Sequence, residues 1–188
     1  SGLDGVSGIA HTRWATHGVP SELNAHPHAS GQVSVVHNGI IENHAELREE
    51  LMRDGFHFDS QTDTEVIAHM LEREQQRGAK LFEAVQQVVA RLHGAYAIVA
   101  ISAREPGVLA GARLGSPLVV GYGEGENYFG SDVHALIPLT RRFSYLEEGD
   151  VAEISLTGVR IVDGSGKPVE RAIKTSSFNA DAAQKGDY

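Results

Sequence analysis

The sequence predicts an α+β fold in which antiparallel sheets are covered by helices. Two observations carry this prediction. Helical stripes cluster between residues 43 and 92. Short apolar segments joined by tight turns follow them. The length of 188 residues suits one domain with a sizeable core.

Two strand-like segments, Gly8–Trp14 and Gln32–His37, precede the helical block. The first helix is expected over Asn43–Arg53, with Leu47, Leu51 and Met52 on one side and Gly55 as a stop. The second is expected over Thr62–Arg77. It opens on Thr62-Asp63-Thr64-Glu65, which has capping-box spacing, and ends at Gly78. The third, Lys80–Leu92, carries the full stripe Leu81, Phe82, Val85, Val88, Val89 and Leu92 before Gly94. Strands are then expected over Ala95–Ser102, Val108–Arg113, Leu118–Tyr122, Tyr128–Ser131, Arg142–Leu146, Val151–Leu156 and Val159–Val162. Pro106-Gly107, Ser116-Pro117, Gly125 and Thr157-Gly158 mark turns between them. The polar stretch from Thr175 to Tyr188 reads as the start of a linker, which leaves residues 1–174 as the domain.

Three stretches carry candidate chemistry. His11-Thr12-Arg13-Trp14-Ala15-Thr16-His17-Gly18 packs an arginine, a tryptophan, two hydroxyls and two histidines together. Arg13 is shaped to grip a carboxylate through two parallel hydrogen bonds, and Trp14 can cover a small ligand. A loop with a surface arginine and a core tryptophan explains the same pattern. In Val35-Val36-His37-Asn38-Gly39-Ile40 an apolar strand runs into Asn-Gly. On the residues alone a turn is the better reading. The alternative is an oxyanion hole made from the Asn38 amide and the Gly39 backbone N–H. Asp63 either complements the dipole of the second helix or receives a substrate ammonium.

Other patterns carry less. His26-Pro27-His28 with His37 lacks metal-site spacing and a completing Cys or carboxylate, so no metal is expected. Gly121–Gly125 lies between two strands and reads as a hairpin rather than a phosphate loop. Ser131-Asp132 with His134 reads as a helix start, not a nucleophile–base pair.

These stretches together resemble a known family. Gly8–Gly18 closely resembles the glutamine loop of the glucosamine-6-phosphate synthases. Asn24–His28, Val36–Asn43, Thr62–His69, Arg113–Pro117 and Leu146–Asp150 agree in order, so the resemblance covers essentially the whole chain. It implies the four-layer α/β/β/α sandwich of N-terminal-nucleophile hydrolases. It implies hydrolysis of L-glutamine to glutamate and ammonia, with the ammonia used by a C-terminal sugar-isomerase domain to convert fructose 6-phosphate to glucosamine 6-phosphate. By position, Arg13 is expected to bind the glutamine α-carboxylate, with Thr16 and His17 beside it and Trp14 closing the site. Asn38 and Gly39 are expected to form the oxyanion hole, and Asp63 to hold the α-ammonium. No cofactor is implied. A homodimer is expected for the full-length protein.

The sequence also departs from that family. Its members begin with a catalytic cysteine whose own α-amine serves as base. This chain has no cysteine, and Ser1 stands only twelve residues before Arg13. The first strand and first helix are therefore expected to be missing, which would expose a sheet edge and favour aggregation. A glutamine-binding module without catalysis, or another amidotransferase of the same mechanism, stays open as an alternative. The formal net charge of -9 and the lack of any basic run argue against nucleic-acid and anionic-membrane partners. No signal peptide or membrane-spanning stretch is seen, and a cytoplasmic location is expected.

Overall fold

The structure, a computed structural model, describes residues 5–12, 19 and 21–175. In chain order these form a short 3-10 helix (Glu22–Asn24), β1 (His28–Ser30), β2 (Val33–Ile41), α1 (His44–Arg53), α2 (Thr64–Gln76) and α3 (Leu81–Val89). Then come β3 (Gly94–Ser102), β4 (Leu109–Leu114), β5 (Val119–Tyr122), β6 (Asn127–Gly130) and α4 (Val133–Leu136). β7 (Arg142–Tyr145), β8 (Val151–Ser155), β9 (Gly158–Val162) and β10 (Lys174–Thr175) complete the described chain.

Among the described residues the strands make two sheets, ordered β1-β2-β3-β4-β8-β9 and β10-β7-β5-β6. Their pairings are all antiparallel. Alternation along the strands divides the apolar residues between two faces. Val33, Val35, Ile41, Ile98 and Ala100 meet Leu47, Ile67, Leu71, Leu81 and Val85 from the helices. On the other face Val36, Ala97, Val99 and Ile154 meet Leu118, Val120 and Leu146 of the second sheet. The outer side of that sheet packs Val119 and Phe143 on Leu136 of α4. The order is therefore helices, sheet, sheet and a short helix, the α+β sandwich that the sequence predicts.

Local chemistry explains most boundaries. α3 is capped by Lys80, whose N–H donates to the Glu83 carboxylate at 2.9 Å. Asp132 caps α4 by accepting the His134 N–H at 2.7 Å, so the expected helix start is present there. The expected hairpin is present too, as β5 paired with β6.

Some expectations need correction. Met52 does not share the buried side of α1: it is 58% exposed, while Leu47 and Leu51 are buried. α2 starts at Thr64 rather than Thr62, and its capping box is only half formed. The Glu65 N–H reaches the Thr62 hydroxyl, but the Glu65 carboxylate instead accepts the N–H groups of Asp59 and Ser60, each at 2.8 Å. The described part of the expected first strand, residues 8–12, has no strand assignment. Residues 13 and 14 of that segment lie outside the described residues, as do residues 176–188 of the expected linker.

Candidate active site

β2 does not stop at Asn38-Gly39, as a turn would require. It continues to Ile41, with Asn38 opposite Ala97 and Gly39 opposite Tyr96 in β3. Gly39 makes this possible. Its φ is 122°, and a Cβ there would stand 2.0 Å from the backbone oxygen of Ala95. The dipeptide thus shapes a close approach between two paired strands rather than a hairpin.

Asn38 opens onto the face between the sheets. It lines a cavity of about 210 Å³ with Gly8–His11, Val36, Ala97, Val99, Leu109, Leu118 and residues 127–131. Apolar side chains form much of the wall, and Asn38 and His11 are polar groups within it, which suits an oriented small ligand. The Oδ1 of Asn38 accepts a hydrogen bond from Nε2 of His11 at 2.5 Å. The His11 ring packs against that of His26, with centroids 4.4 Å apart.

Behind this wall lies a buried polar network at the start of α2. Thr64 Oγ1 meets His26 Nε2 at 2.9 Å and His37 Nδ1 at 3.0 Å. Thr62 Oγ1 meets His28 Nε2 at 2.9 Å, and Ser60 Oγ links Thr62 to Glu65. Glu65 also faces His69 across 3.6 Å. Burial alone would raise the Glu65 pKa. The nearby His69 ring, with hydrogen bonds from Ser60 and the backbone of Asp59 and Ser60, outweighs it and holds the carboxyl at about 2. Asp63 caps this region from the other side: its Oδ2 accepts the Ile41 N–H at 2.8 Å.

Two more of the family-like stretches meet each other. Arg113 donates to the Leu146 carbonyl at 3.0 Å and pairs with Glu148, which also accepts the Gly115 N–H at 2.7 Å. Asp150, fully buried, accepts the Glu147 N–H at 2.7 Å and two bonds from the Arg171 guanidinium.

Of the residues marked in the sequence, the structure brings Asn38, Gly39 and Asp63 to one end of β2 and the start of α2. Arg13, Trp14, Thr16 and His17 lie outside the described residues. The sequence reading missed the partnership of His11 with Asn38, which are 27 residues apart. It also missed the use of His26, His28 and His37 as partners of Thr62 and Thr64. The only signal was the density of polar residues in stretches later found buried.

The family model described as "Glutamine amidotransferase domain" matches residues 11–138. The glutamine–fructose-6-phosphate aminotransferase [isomerizing] of Vibrio vulnificus (strain CMCP6) is 58% identical over 184 residues. That of Photorhabdus laumondii is 56% identical over 184 residues. Each alignment covers 98% of this chain, and the chain spans 30% of the length of these relatives. Among solved structures, a glutamine phosphoribosylpyrophosphate amidotransferase from B. subtilis superposes with a TM-score of 0.68 at 25% identity, covering 84% of this chain and 35% of that one. A class-II glutamine aminotransferase domain protein from Silicibacter pomeroyi shares the fold, with a TM-score of 0.54 at 20% identity over 75% of this chain and 70% of that one. The family match spans more than half of the chain, and the chain belongs to the glutamine amidotransferase domain family.

Proposed function

We propose that this chain supplies the glutamine site of a protein that hydrolyses L-glutamine and passes the ammonia to a C-terminal sugar-isomerase domain, making glucosamine 6-phosphate from fructose 6-phosphate. The observation that carries this reading is the placement of Asn38 at a cavity beside Gly39, on a strand whose path admits only glycine. The Asn38 amide and the Gly39 N–H are the donors for the tetrahedral oxyanion, where charge develops on the substrate amide oxygen. Arg13 grips the α-carboxylate, with Thr16 and His17 beside it, and Trp14 excludes water. Asp63 receives the α-ammonium; its carboxylate is tied to Ile41, two residues beyond Gly39. One cation, one anion and an oxyanion cradle match a zwitterionic amide and reject analogues lacking either charge. The full-length protein is a cytoplasmic homodimer that engages neither nucleic acid nor membrane. The net charge of -9 on these 188 residues supports the last point, and no described helix is long and apolar enough to cross a membrane.

The family's nucleophile is an N-terminal cysteine thiol, and these 188 residues contain no cysteine. That observation favours a second reading for the chain by itself: it binds glutamine without cleaving it. Calorimetric titration of the chain with glutamine, beside an ammonia assay of the full-length protein, tests both. Binding by the chain and ammonia release by the full-length protein support the assignment. Arg13→Ala should abolish binding; unchanged affinity would overturn the role given to Arg13.

A further inference from the structure

We propose that His11 is a positioning residue that aims the Asn38 amide. Its Nε2–H donates to Oδ1, so the Nδ2 hydrogens are turned to the cavity. The inference rests on the oxyanion role of Asn38 proposed above. An asparagine amide has an accepting and a donating end, and rotation about its last torsion is soft and roughly two-fold. Asn38 is paired with Ala97 of β3, which holds its backbone but does not decide which end of the amide faces the substrate. A carbonyl oxygen facing the cavity would repel a developing oxyanion, whereas the NH₂ would stabilise it. The partner of the amide therefore decides whether Asn38 helps or harms.

His11 is built for that task. Oδ1 can only accept, so the 2.5 Å contact requires a hydrogen on His11 Nε2. A neutral ring then carries no hydrogen on Nδ1, which is buried and makes no hydrogen bond among the described residues. The ring is backed by His26, whose Nε2 is held by Thr64 of α2 at 2.9 Å. The orientation of the amide is thus braced by the helix on the far side of the sheet.

The test is steady-state glutaminase kinetics in the full-length protein carrying Asn38→Ala, His11→Phe or His11→Gln. Phe keeps the stack on His26 and removes the donor. Gln places an N–H donor at similar reach. Asn38→Ala is expected to lower kcat by ~10²- to 10³-fold. His11→Phe is expected to lower kcat by ~10- to 100-fold with KM within about twofold, since the loss falls on the transition state. His11→Gln is expected to recover most of kcat. Wild-type kcat in His11→Phe, with Asn38→Ala inactive, overturns the positioning role. So does a folded His11→Gln as impaired as Asn38→Ala, an outcome that decides the matter even if His11→Phe does not fold. Wild-type kcat in Asn38→Ala overturns the oxyanion reading itself.

Discussion

The Asp63 carboxylate, at the start of α2, accepts the Ile41 N–H from the end of β2 at 2.8 Å. This bond joins the helix layer to the strand that carries Asn38 and Gly39. It also lets this structural bond be tested apart from the ammonium role proposed for Asp63. Asp63→Asn keeps an acceptor for Ile41 but removes the charge. Asp63→Ala removes both, leaving a buried N–H at a cost of about 1–3 kcal/mol. Urea unfolding should therefore show a clear loss for Ala and a smaller one for Asn. Both should raise the glutamine KM of the full-length protein; an unchanged KM in Asp63→Asn would remove the ammonium role.

Gly39→Ala should be far more damaging than Gly55→Ala. At Gly39 the added Cβ meets the Ala95 oxygen at 2.0 Å, whereas at Gly55 nothing lies within 4 Å. Both have positive φ, 122° and 92°. Gly55→Ala should cost roughly 1 kcal/mol from backbone strain, and Gly39→Ala about 1–3 kcal/mol more from the clash. Thermal melts of the two variants measure the difference.

Glu65 makes stability depend on acid. Its carboxyl is held at about 2, below the ordinary 4.5, so the folded state binds its proton less readily than the unfolded chain. The stabilisation is fully present above pH 4.5 and is lost as pH falls from there towards 2. Glu65→Gln should flatten that part of the unfolding profile. An acid limb as steep as that of the wild type would show that other carboxylates dominate. Glu50, also held at about 2 by Arg91 and Arg73, is the first to examine in that case.

Removing Arg171 should destabilise more than removing Arg77. Asp150 is fully buried, and Arg171 neutralises it through two hydrogen bonds. Arg171→Ala strands that charge and should cost about 3–5 kcal/mol. The Arg77 side chain is 60% exposed in its pair with Glu74, and its loss should fall within about 0.5 kcal/mol. Chemical denaturation midpoints of the two variants, at matched slopes, decide this.

The parts of the fold legible in the sequence are those set by apolar periodicity. α3 announces itself through Leu81, Phe82, Val85 and Val88, and β3 through an unbroken apolar run. β1 was invisible because its buried positions are His28 and Ser30, which hydrogen-bond to Thr62 and His69, residues 34 and 39 positions away. The same physics hid the continuation of β2. Asn-Gly has the chemistry of a turn, and only the approach of Ala95 reveals why the strand goes on. Asn38, Gly39 and Asp63 are proposed through the resemblance, whereas the contact of His11 with Asn38, 27 residues away, needed coordinates.

Thr64 stands between His26 and His37, and its hydroxyl has a single proton to give. Both rings cannot present a bare nitrogen to it, so at least one must carry a hydrogen on the nitrogen that faces Thr64. The tautomers of two histidines on different segments are therefore not independent, and a helix residue arbitrates between them. Valine at this position would match the shape of threonine yet dissolve that arrangement. It would leave β2 and the loop before β1 to settle their proton positions separately.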